Sequence, residues 1–168
     1  HGPLSQGNWG TFSSIPGWTD GGRIDFEIQQ NGVGGRAAQD GNALVELDAH
    51  DFNGNTPPNG TNATIQQEVH GTEAGEIYEI TFWYAPRPND GNSDSSSMKV
   101  SWNGVEVYSI NSAEAMDGWQ KIAISVYGAG APAVLAFTGT GQENSLGALI
   151  DNVSLCRCYI VDEDDIDT

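Results

Sequence analysis

Apolar and polar residues alternate along most of this chain, and the 3.6-residue spacing of an amphipathic helix is nearly absent. Residues 23–29 read as a strand with Ile24, Phe26 and Ile28 on one face. Residues 43–47 form another, with Leu44 and Glu46 opposite Val45 and Leu47, and residues 64–69 a third. The longest run covers 76–84. It places Tyr78, Ile80, Phe82 and Tyr84 on one face and Ile77, Glu79, Thr81 and Trp83 on the other. Asn103-Gly104 interrupts the run 98–108 with a two-residue turn that favours positive φ. The hairpin it implies pairs Trp102 with Val105, Ser101 with Glu106, Val100 with Val107 and Lys99 with Tyr108. Its apolar face is then Val100, Trp102, Val105 and Val107, and Tyr108 lies on the polar face with Lys99 and Glu106. Residues 121–127, 133–138 and 148–159 complete the set, with a short helical turn at 112–116.

About nine strands separated by Gly, Asn, Asp and Pro turns, with no helix to cover a sheet, imply an all-β fold of two antiparallel sheets packed face to face. One domain is expected over residues 1–159, followed by an acidic tail or linker over 160–168. No apolar run approaches the roughly 20 residues that a membrane-spanning helix needs. His1 begins in polar, turn-forming sequence, so the chain reads as a mature fragment or a piece of something longer.

Charge narrows the partners. Against 23 acidic residues stand 6 basic ones, a net charge of −17. Such a chain repels nucleic acid and anionic membrane. The acids suit a solvated surface, and they also suit Ca²⁺, which takes carboxylate and carbonyl oxygens. Cys156 and Cys158 form a C-x-C pair, consistent with a strained local disulfide, free thiols or intermolecular links. Asn59, Asn62 and Asn152 head glycosylation-type tripeptides.

Several short motifs follow one another in a fixed order. They are Ile15-Pro16-Gly17-Trp18, Ala38-Gln39-Asp40-Gly41, Val45-Glu46-Leu47-Asp48, Ile65-Gln66-Gln67 and Gly75-Glu76-Ile77-Tyr78. Ser101-Trp102-Asn103-Gly104, Gly118-Trp119 and Ile150-Asp151-Asn152-Val153-Ser154-Leu155 continue the series. The series resembles galactose-binding-like domains of bacterial exoproteins and plant cell-wall proteins. That resemblance implies a jelly-roll β-sandwich, an extracellular setting, polysaccharide as ligand and a structural Ca²⁺. It also implies Asp151 as a metal ligand. An opening N-G-x-F-E strand, whose glutamate would be another, does not precede Trp9: either the chain is cut after that strand or another segment fills its place, and the expectation is an open sheet edge.

No catalytic constellation stands out. His1, His50 and His70 belong to no recognisable triad, and no nucleophile elbow is present. Glu46, Asp48, Glu68 and Glu79 lie on strands where a carboxylate pair could form. The expectation is a non-catalytic carbohydrate-binding module. Asp40, Asp48 and Asp151 are its expected calcium ligands. Trp83, turned outward, is the expected sugar platform, with Tyr108 and Arg87 as further contacts, Arg87 stiffened between Pro86 and Pro88. Trp18, Trp102 and Trp119 read as core, and residues 89–97 as a polar loop at the rim of such a site. The alternative is a structural or adhesive homo-oligomer, in which residues 156–161 add a strand to a neighbour's open edge or fold back on their own sheet.

Overall fold

A computed structural model of the chain describes residues 4, 8–21, 24–50, 60–88 and 94–158. Twelve strands form in the order β1 (Trp9–Phe12), β2 (Ser14–Ile15), β3 (Trp18–Asp20), β4 (Phe26–Gln30), β5 (Ala43–Glu46), β6 (Thr64–Val69), β7 (Ile77–Ala85), β8 (Met98–Trp102), β9 (Val105–Ile110), β10 (Gln120–Tyr127), β11 (Ala133–Gly139) and β12 (Leu149–Arg157). Single 3-10 turns at Asp94–Ser96 and Ser112–Glu114 are the helical elements among the described residues. The strands make two six-stranded antiparallel sheets, ordered β1-β4-β5-β12-β7-β10 and β2-β3-β6-β11-β8-β9. The fold is the expected jelly-roll β-sandwich.

The core lies between the sheets. β7 alternates as its sequence requires: Tyr78, Ile80, Phe82 and Tyr84 are buried, while Glu79, Thr81 and Trp83 are turned to the outer face. Phe82 meets Phe137 of β11 edge to face at 5.0 Å, and Trp18 packs against the same Phe137 ring at 6.1 Å. Trp102 is core as well, its indole N–H donating to the Tyr127 carbonyl at 2.9 Å.

Two bulges set which side chains face out. In the β8–β9 hairpin the turn forms at Asn103-Gly104, with φ of 51° and 80°, and Trp102↔Val105 and Ser101↔Glu106 pair as expected. A shift between Val100 and Ser101 then places Tyr108, not Val107, opposite Val100. Tyr108 therefore turns inward, its ring edge-on to Phe82 at 6.2 Å. The expected outer platform of Tyr108 with Lys99 and Glu106 does not form. Val105, expected in the core, sits exposed beside the turn. In β12 the register shifts between Asp151 and Ser154, with Asn152 at φ 49°. The extra residue keeps both Asp151 and Ser154 on the outer face, opposite Trp83 and Thr81 of β7.

β1 pairs with β4 along one edge of its sheet. Cys156 and Arg157 pair with Glu79 and Tyr78 of β7, so this part of the proposed donor segment folds back on its own sheet. Cys158 follows, its backbone N–H donating to the Ile77 carbonyl at 2.8 Å; residues 159–161 of the segment and the acidic tail lie outside the described residues, as does most of the 89–97 loop. Cys156 and Cys158 are free thiols. Asn62 is buried with its amide N–H donating to the Gly141 carbonyl, so it presents no glycosylation acceptor; Asn59 lies outside the described residues.

Candidate functional site

β4 is buried along its whole length, which simple alternation does not explain. Phe26 and Ile28 enter the core. Glu27 and Gln29 point to the outer face, where Glu27 lies directly opposite Glu46 of β5 and Gln29 opposite Trp9 of β1. The 31–42 segment covers them. Leaving β4, it brings Gly34 over Gln29 and Arg87, so tightly that a Cβ at 34 would collide with both. Arg36 then pairs with Asp117 at 2.5 Å, and the Trp119 indole N–H donates to the Ala37 carbonyl at 3.0 Å. The backbone N–H groups of Gln39 and Asp40 finally donate to one oxygen of Asp151, at 2.7 and 2.9 Å. The segment is thus a strap laid across the outer face of the β1-to-β10 sheet. Its middle rests on a small apolar patch of Leu44, Ala85 and Leu149, joined by Ala38 and Trp119. Trp119, expected in the core, packs outside the sheet under this strap.

Beneath the strap lies a hydrogen-bonded charge cluster of Glu27, Gln29, Glu46 and Arg87, in which the Gln29 side-chain oxygen is buried without a partner. Glu46 is 0% exposed. One carboxylate oxygen accepts the Gly147 backbone N–H at 2.7 Å, and the other accepts from the Gln29 side-chain amide and from the Arg87 guanidinium. The same Gln29 amide nitrogen donates to Glu27 at 2.8 Å, so one NH₂ group bridges two carboxylates. Burial pushes the Glu46 carboxyl well above its usual range, opposed by Arg87 and reinforced by the neighbouring Glu27. Burial raises the Glu27 carboxyl too, against the hydrogen bond from Gln29 and the Arg87 charge. Two carboxylates face one guanidinium, so the cluster holds on to a proton more readily than free glutamates do.

Next to this cluster opens a cleft of about 280 Å³. Trp9, Glu27, Gly34, His50, Arg87 and Ser145 line it. It combines one indole ring and an imidazole with a carboxyl and a guanidinium, the last two held in place by the cluster. An apolar gap of about 230 Å³ also opens between the sheets, past Ile15, Trp18, Ile65 and Ile150, with Asp151 and Asn152 at its polar side.

The residues singled out in the sequence fall in different places. Arg87 lines the cleft, but its guanidinium is tied to Glu46. Trp83 is on the outer face as expected, half-buried between Asp151 of β12 and Lys121 of β10, and it does not line the cleft. Tyr108 belongs to the other sheet and faces its interior. Asp40 and Asp151 do meet, through a backbone N–H of one and the carboxylate of the other. Asp151's second oxygen accepts its neighbour Asn152's N–H, so both oxygens face amide hydrogens. Asp48 lies at the far end of β5, beyond Glu46, while Asp151 lies beyond the Ile150↔Val45 pair. The three aspartates therefore do not converge. Among the described residues, no three His, Cys, Asp or Glu side chains cluster as a metal site.

Trp9, Glu27 and Gln29 were not singled out by the sequence. The available signal was two polar residues alternating with Phe26 and Ile28, followed at once by the glycine-rich run 31–35.

Known proteins share this architecture. The K1 cleaved adhesin domain of Lys-gingipain from Porphyromonas gingivalis W83 superposes with a TM-score of 0.58 and 16% identity, covering 91% of this chain and 100% of that one. A family 35 carbohydrate-binding module from Clostridium thermocellum superposes at 0.52, with 21% identity, covering 88% of this chain and 97% of that one. In sequence, the chain is 27% identical over 137 residues to a multifunctional-autoprocessing repeats-in-toxin protein of Vibrio vulnificus, covering 82% of this chain and 2% of that protein. The chain thus spans a small fraction of the curated relative it matches. A family model matches residues 6–156, and the chain belongs to that family, described as a protein of unknown function, DUF642.

Proposed function

We propose that this chain is a non-catalytic, extracellular polysaccharide-binding module, and that the cleft beside Trp9 is its binding site. The observation that carries the reading is the pairing of an indole with fixed polar groups in one cleft on the outer face of a jelly-roll sheet. A sugar ring needs an apolar plate for its C–H face and a few directed donors and acceptors for its hydroxyls. Trp9 supplies the plate, Glu27 accepts, and Arg87 and His50 carry ring or guanidinium nitrogens. Because Gln29 and Glu46 hold Glu27 and Arg87 in place, little side-chain ordering remains to be done on binding.

The same geometry argues against glycoside hydrolysis. Glu27 and Glu46 lie directly opposite each other on neighbouring strands and share one Gln29 amide nitrogen between them. A retaining or inverting pair stands about 5–9.5 Å apart, on either side of the bond it cleaves. Glu46 is sealed from solvent as well. The extracellular setting is supported by the ligand class, by the net charge of −17 and by the likeness to an adhesin domain and a toxin.

Affinity electrophoresis through a panel of soluble plant and bacterial polysaccharides tests the reading. The intact chain should be retarded in at least one gel. Trp9→Ala should migrate freely there while keeping its circular dichroism spectrum, and Trp83→Ala should stay retarded. Unchanged retardation of Trp9→Ala removes the cleft from the site. Loss in Trp83→Ala alone moves the site to the β10-β7-β12 half of the face.

A further inference from the structure

At the end of β5 opposite the strap's anchor on Asp151, three side-chain oxygens are buried with no hydrogen-bond partner: Asp48 Oδ1, Thr61 Oγ1 and Asn62 Oδ1. Asp48 and Thr61 are 0% exposed and Asn62 is 9% exposed. The three belong to one small volume, because Asp48 and Asn62 face each other as an isolated antiparallel bridge and Thr61 is the neighbour of Asn62. Directly opposed side chains of such a pair have Cβ atoms about 4.5–5.5 Å apart, a gap that one ion can bridge.

The orientations are fixed by what each group already does. Asp48 Oδ2 accepts the Asn144 backbone N–H at 3.2 Å, which leaves Oδ1. Asn62 Nδ2 donates to the Gly141 carbonyl at 2.8 Å, so its oxygen, not its nitrogen, is the open atom. The Thr61 hydroxyl lies near enough to Asp48 to favour its charged form, yet it makes no well-formed hydrogen bond. Beside them, the exposed Glu143 carboxylate packs against Gly60, at φ 85°, where a Cβ would collide with it. Its charge is felt at Asp48.

Buried acceptors without donors are rare, since each one carries an unrecovered loss of hydration. Three oxygens, one of them from the Asp48 carboxylate, lie here beside the Glu143 carboxylate, with no nitrogen or sulfur donor among them. That donor set suits a hard divalent cation, and the mixture of carboxylate, amide and hydroxyl oxygens suits Ca²⁺ better than the strictly octahedral Mg²⁺.

We propose that Asp48, Thr61 and Asn62, with Glu143 on the solvent side, form a Ca²⁺-class site that clamps the end of β5 to the segments before β6 and β12. This inference stands apart from the glycan reading. It retains Asp48 among the ligands expected from sequence and adds Thr61, Asn62 and Glu143. The Asp151 carboxylate, by contrast, faces only amide hydrogens.

The test is calorimetric titration of the chelator-treated full chain with CaCl₂ and, separately, MgCl₂, alongside thermal melts in Ca²⁺ and in EDTA. Ca²⁺ should bind and raise the melting temperature, with Mg²⁺ weaker. Asp48→Asn should abolish the Ca²⁺-dependent shift. Glu143→Gln, at an exposed position, should fold normally and bind Ca²⁺ about tenfold or more weakly. Asp151→Asn should bind as the parent chain does. Any of three results overturns the proposal: no heat and no shift with Ca²⁺, as a buried water alone would give; unchanged affinity in a folded Glu143→Gln; or loss confined to Asp151→Asn.

Discussion

The Glu46–Arg87 pair makes the sharpest prediction, because burial and charge act on it in opposite directions. The Glu46 side chain is 1% exposed and that of Arg87 16%. Arg87→Ala leaves a carboxylate buried with a second carboxylate beside it. Removing one partner of a buried pair destabilises by about 3–5 kcal/mol. In a domain of this size each kcal/mol lowers the melting temperature by about 2–4 °C, so the variant should melt about 6–20 °C below the parent near neutral pH. The pH dependence carries the sign. Burial raises the folded-state pKa of Glu46 above its ordinary value of 4.5, so the folded chain binds more protons than the unfolded one. Stability contributed by this group is therefore present in acid and lost as pH climbs through the folded value. Arg87 opposes that rise, and without it the folded value goes higher still. The deficit of Arg87→Ala should therefore widen as pH increases and narrow towards acid. Adding Glu46→Gln removes the buried charge and should restore most of the loss. Melts followed by circular dichroism, from about pH 4 to pH 8, decide it. A loss under about 1 kcal/mol, or one that is the same at every pH, refutes the reasoning.

Gly34→Ala should lift the strap off Gln29 and Arg87, lowering stability by about 1–3 kcal/mol and abolishing polysaccharide retention. Urea melts and affinity gels report the two effects. Trp119→Phe removes the bond to the Ala37 carbonyl and should destabilise by about 1 kcal/mol, with faster proteolytic cleavage in the 31–41 segment. Tyr108→Ala should destabilise by about 2 kcal/mol, less than a fully buried aromatic loses, and leave retention unchanged, since its ring packs on Phe82.

How much of this was legible in the sequence depends on whether the deciding interaction is local. Alternation along β7 put Tyr78, Ile80, Phe82 and Tyr84 inside and Trp83 outside, and the structure agrees. Asn103-Gly104 announced its own turn, because both residues adopt positive φ there. The bulge at Val107 left no such mark, and one inserted residue was enough to turn Tyr108 inward. β1, β2 and β3 are only two to four residues long, too short for a period to show. Glu27, Gln29 and Glu46 are the clearest case. Each occupies a position that alternation assigns to solvent, and each is buried because the strap folds back over it. Arg87, the cation that makes that burial tolerable, comes from 41 residues further along the chain than Glu46. The orphaned oxygens of Asp48, Thr61 and Asn62 likewise depend on a bridge between separate segments.

The central claim is that the cleft between Trp9 and Arg87 receives the glycan. It is tested most directly by titrating the ¹⁵N-labelled chain with an oligosaccharide taken from whichever polysaccharide retards it, and following the amide and indole resonances. The account predicts that the largest shifts fall on the Trp9 indole N–H and on the amides of Gly34, His50 and Ser145, with the β8–β9 hairpin silent. Shifts centred on that hairpin, or on Trp83 and Lys121 with Trp9 unmoved, contradict it.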